Sequence, residues 1–85
     1  MARRRRPRTE LEARRLVKRR NLAALLADSL PNDRGEWCRI VTKHFGPEAG
    51  RFADAVFPDR DELLWMLSSE PMATVLQALD GIRSR

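Results

Sequence analysis

The stretch that most limits what this chain can become covers residues 10–30, a helical segment whose two halves ask for different surroundings. The first half carries Arg14, Arg15, Lys18, Arg19 and Arg20 around most of the helix circumference, with only Leu11, Ala13, Leu16 and Val17 as apolar positions. The second half reads Leu22-Ala23-Ala24-Leu25-Leu26-Ala27. A helix that is apolar on every side must be buried. One end therefore belongs to a core, and the other to solvent or a partner.

Thr9 is placed to cap this helix, with Glu10 and Glu12 in the first turn where carboxylates complement the helix dipole, and Pro31 stops it. Asp33-Arg34-Gly35-Glu36 has the form of a capping box and opens a second helix, whose apolar face is Trp37, Ile40, Val41, His44 and Phe45. Gly46 suits a left-handed helix end, and Pro47 the first turn of a third helix carrying Ala49, Phe52, Ala53, Val56 and Phe57. Asp59-Arg60-Asp61-Glu62 repeats the capping-box form ahead of Leu63-Leu64-Trp65-Met66-Leu67, a short and mostly buried fourth helix. Ser69 is read as the cap of a fifth helix with Pro71 in its first turn, Met72, Val75, Leu76 and Leu79 facing inward, and Gly81 ending it.

No alternating run of β-branched residues exists, so the expected fold is all-α, a compact orthogonal bundle of about five helices. With 42% hydrophobic and 34% charged residues, the chain has enough apolar side chains for a folded core. At 85 residues it makes one domain of modest stability, for which a homodimer is a possible reinforcement. The domain is assigned to residues 10–85, with the basic half of helix 1, residues 10–20, projecting from it. Residues 1–9, beginning MARRRRPR, are expected to form a disordered arginine-rich arm, because like charges in close succession repel and nothing there can enter a core.

The net charge of +5 hides an asymmetry: residues 1–20 hold ten Arg or Lys against two Glu, and residues 21–85 hold seven against ten acids. The first twenty residues are thus +8 and the remainder −3. Such a split suggests a basic tail that seeks a polyanion. Fifteen of the seventeen basic residues are Arg, so the inference rests on their clustering and not on their number.

Val41-Thr42-Lys43-His44-Phe45-Gly46, followed by Phe52 and Ala55, resembles the helix-turn-helix pattern, in which a glycine turn separates two apolar anchors. The chain departs from that pattern at Pro47 and Thr42, and the would-be recognition helix carries Glu48, Arg51 and Asp54. Core packing alone gives the same spacing, and a plain helical hairpin is the reading adopted.

No GxGxxG or Walker loop occurs. Cys38 and His44 are six positions apart, on different faces of a helix, and no other Cys or His exists to complete a metal site or a nucleophile–base pair. Asp59, Asp61 and Glu62 all fall in one helical turn, where the dipole accounts for them. A non-enzyme without cofactor or metal is expected. Trp37 and Trp65 are read as core anchors, with the proviso that a tryptophan found exposed marks an interface. A lone cysteine, no apolar leader and no long apolar run point to a cytoplasmic protein, nuclear if the host is eukaryotic, without a membrane span.

The function expected is nucleic-acid binding, DNA or RNA, of a regulatory kind. Arg3, Arg4, Arg5, Arg6, Arg8, Arg14, Arg15, Lys18, Arg19 and Arg20 would grip the phosphate backbone, where guanidinium groups bind bidentately. The alternative is a protein–protein interaction adaptor, similar in size and helix count to death-fold-like bundles, whose basic helix docks on an acidic partner surface.

Overall fold

A computed structural model of the protein describes residues 9–84; the expected arm at residues 1–8 lies outside the described residues. Among the described residues the chain is all-helical, with no strand: α1 (Glu10–Ser29), α2 (Arg34–Phe45), α3 (Pro47–Val56), α4 (Arg60–Ser68) and α5 (Met72–Arg83).

The local start signals work as the residues imply. The Thr9 hydroxyl accepts from the Glu12 N–H at 3.1 Å, Asp33 from Glu36 at 2.9 Å, and Asp59 from Asp61 and Glu62 at 3.1 and 3.2 Å. Each satisfies N–H groups that have no partner within a first helical turn. Leu30, ahead of Pro31, is extended at φ −72 and ψ 142, as a residue preceding proline prefers. Gly46 alone links α2 to α3, at φ 101 and ψ 171. This is positive φ with an extended ψ, not the left-handed helical end expected, and essentially only glycine adopts it.

Thirteen apolar residues from all five helices and the α1–α2 junction meet in one buried cluster, among them Leu26, Leu30, Trp37, Val41, Leu63, Leu67 and Val75. α2 and α3 form an antiparallel hairpin. Arg34 near the start of α2 reaches Asp54 near the end of α3 at 2.7 Å, and Thr42 at the other end lies against Gly50. α1 packs on α4 and α5. Arg60, the first residue of α4, donates to the Ala27 carbonyl near the end of α1 and to Asn32 Oδ1 at 2.9 Å, so α4 runs back along α1. The same guanidinium lies 5.3 Å from the centre of the fully buried Trp37 ring, whose other neighbour is the Phe57 ring, edge-on at 5.2 Å.

Tertiary contacts overturn several local expectations. Leu25 is 46% exposed and Leu22 half-buried, so the all-apolar half of α1 buries Ala23, Leu26 and Ala27 and leaves its outer side to solvent. Ser69 does not cap α5. The backbone is still winding out of α4 there, with the Ser69 and Glu70 N–H groups bonded to the Met66 and Leu67 carbonyls, and Pro71 precedes α5 without a side-chain cap. Gly81 does not end α5, which continues to Arg83; a Cβ there would lie 2.8 Å from His44 Cε1, so this glycine permits the close approach of α2. On α5, Ala78 takes the inward place assigned to Leu76, which is 44% exposed.

Candidate nucleic-acid interface

The basic half of α1 extends past the buried cluster, whose first member on this helix is Ala23. Leu11, Leu16 and Val17 are 59%, 46% and 59% exposed, which fits a segment with no neighbour on most of its sides. Arg14, Arg15, Lys18 and Arg20 are exposed. Arg14 also bonds the Glu10 carboxylate one turn back at 3.1 Å, an exposed pair of small energetic value that a phosphate can displace. Arg19 differs from its neighbours. Lying four, seven and eleven positions before Ala23, Leu26 and Leu30, it shares their side of the helix; it is half-buried, and its Nε is enclosed without a hydrogen-bond partner. Arg3, Arg4, Arg5, Arg6 and Arg8 lie outside the described residues.

α4 brings a second group of side chains beside Arg20. Leu63 and Leu67 are fully buried and fix the helix face-down, which turns Trp65 outward at 69% exposure. This corrects its assignment as a core anchor. Trp65, Asp61, Leu64 and Ser68 line a surface groove with Arg20. Among the described residues the Asp61 carboxylate and the Arg20 guanidinium form no ion pair with each other or with another side chain. Five apolar residues in succession on a helix only nine long cannot all face one core, so the sequence signals that some must face outward without saying which.

On the other side of α1, Ala13, Val17, Leu22 and Leu25 alternate with Glu10, Arg14, Lys18 and Asn21 along a shallow, open groove. Its surface is mostly apolar, with Glu10, Arg14 and Lys18 as its charged residues.

Burial first, then the nearby Asp54 carboxylate, which also accepts from the thiol at 3.7 Å, push the Cys38 thiol up from its ordinary pKa; Arg34 opposes them. Activated cysteines are shifted the other way. Among the described residues no group of three or more His, Cys, Asp or Glu side chains is placed to hold a metal ion, and no helix is long and apolar enough to cross a membrane.

The chain matches no family model, no curated protein and no solved structure.

Proposed function

We propose that the protein is a small, non-enzymatic nucleic-acid-binding protein of regulatory role, which holds the phosphate backbone with the basic residues between positions 3 and 20. The observation that carries this reading is the confinement of charge. Ten of seventeen basic residues lie in the first twenty, on a body that is otherwise net acidic, and four of them stand exposed on the overhanging end of α1. Contacts of this kind are to backbone and read no base sequence.

The test is binding of a fluorescent duplex and a single strand across a salt series. If about half of the ten basic residues reach phosphates, log K against log salt has a slope of about −3.5 to −4.5. Replacing Arg15, Lys18 and Arg20 together by Gln should weaken all sequences about equally and flatten the slope by about 2–3. Copurification with nucleic acid, seen as a high absorbance ratio at 260 to 280 nm, supports the same reading. Absence of binding even at low ionic strength overturns it.

The adaptor reading is favoured by a different observation, the mostly apolar outer groove of α1 with Arg14 and Lys18 in its lining. An amphipathic partner helix with acidic flanks is complementary to that face.

A further inference from the structure

Trp65 is the largest of the exposed apolar side chains among the described residues, and burial in the bundle does not account for it. It stands on a short helix anchored by two fully buried leucines, which fixes the backbone that carries the ring on the outer side of the bundle. Arg20 lies across the groove from it, while Arg14 and Lys18 line the other side of α1. An exposed aromatic face with a cation beside it is an arrangement by which proteins hold an unpaired base, since every base has a π face while the adjacent phosphate is drawn to the positive charge.

Asp61 sharpens the choice of base. It precedes Trp65 by four residues and so stands one turn away on the same side of α4. A carboxylate repels phosphate, which keeps the backbone of a strand on the Arg20 side and leaves a base edge to face Asp61. As an acceptor-only group it suits two adjacent N–H donors, and makes short, charge-assisted bonds to them. Guanine alone among the four bases presents a ring N–H and an amino N–H side by side on its pairing edge. The other bases would set a ring nitrogen or carbonyl acceptor against the carboxylate.

We propose that Trp65, Asp61 and Arg20 form a site for one unpaired guanine of a single strand, stacked on the Trp65 indole, bonded at its edge by Asp61 and held at an adjacent phosphate by Arg20. This rests on the nucleic-acid reading above and adds to it a location and a base.

The experiment uses the full chain and three probes at low salt: a twelve-nucleotide oligo-dT, the same strand with one central dG, and a duplex of equal length. Only two tryptophans exist and Trp37 is fully buried, so quenching of fluorescence on binding reports stacking at Trp65. The dG strand should bind several-fold more tightly than oligo-dT and quench more strongly. Trp65→Ala should lose roughly ten- to hundredfold in single-strand affinity, the range of base–aromatic stacking, with duplex affinity and melting temperature unchanged. Asp61→Asn should abolish the preference for dG and keep the quenching. Salt-sensitive binding without quenching, equally strong in Trp65→Ala, overturns the stacking site and leaves the phosphate reading standing. A dG preference that survives in Asp61→Asn overturns the role of Asp61. No binding of any probe overturns this site and the nucleic-acid reading together, and separates that failure from the other two.

Discussion

Gly50→Ala probes the close approach of α2 and α3 and can be worked out from the geometry. A Cβ at position 50 would stand 1.8 Å from Thr42 Oγ1, 3.0 Å from Thr42 Cβ and 3.4 Å from Thr42 Cα. Rotating the threonine side chain relieves the first contact only, because Cβ and Cα move with the backbone of α2. The helices must therefore part by a few tenths of an ångström along a seam also tied by Arg34 and Asp54. Overpacking of this kind costs about 1–3 kcal/mol, and two clashing atoms put it near the upper end. Alanine regains ~1 kcal/mol over glycine inside a helix. The net loss is ~2 kcal/mol, which at this chain length lowers the melting temperature by ~8–16 °C. Urea denaturation of Gly50→Ala, Thr42→Gly and the double variant measures it, and the slope with urea should stay constant. The double variant should be more stable than the sum of the single losses implies, because glycine at 42 removes both Oγ1 and Cβ. A Gly50→Ala protein as stable as the parent, or a cycle additive within ~0.5 kcal/mol, refutes the claim that Thr42 fills the space the glycine leaves.

Two further expectations follow from the same packing. Trp37→Ala empties the place of a fully buried ring that touches Phe57 and lies under Arg60, and should cost ~3–5 kcal/mol, enough to unfold a domain this small; a cooperative melt at the parent temperature would contradict the core described. The Cys38 thiol, raised above its ordinary value of 9.0, should alkylate more slowly at pH 8 than a peptide thiol, and Asp54→Asn should speed it. Since the folded pKa exceeds the unfolded one, stability from this group is complete below the unfolded value and is lost as pH rises through the folded value. A parent protein that alkylates at the peptide rate would show that burial and Asp54 do not act on the thiol.

Much of the fold was legible because it is written in short-range chemistry. Thr9, Asp33 and Asp59 cap the helices they precede, and Pro31 ends the first. The Trp37, Ile40, Val41 stripe needs no knowledge of its neighbours, since a mixed helix has only one apolar side to bury. The candidate site was legible only in its charge. Arg14, Arg15, Lys18 and Arg20 are exposed as a dense basic run requires, whereas Arg19 and Trp65 could not be sorted from their neighbours by spacing.

The sequence by itself determined the starts of α1 to α4, the all-helical class and the division into a basic end and an acidic body, because caps, prolines and clustered charges act over a few residues. Only the tertiary structure decided which side of an apolar run is buried. Leu22 to Ala27 and Leu63 to Leu67 are apolar at every position, so no face is preferred until neighbouring helices occupy one; α4 and α5 cover one side of α1, and Leu25 and Trp65 are left outward. It also decided the meaning of its glycines: Gly50 and Gly81 lie within helices because Thr42 and His44 press against them, a contact between residues 8 and 37 positions apart that no local pattern encodes. Arg60 followed the same rule. An arginine among acids in sequence became, through the Ala27 carbonyl, Asn32 and the Trp37 ring, a tie between α4, the end of α1 and α2.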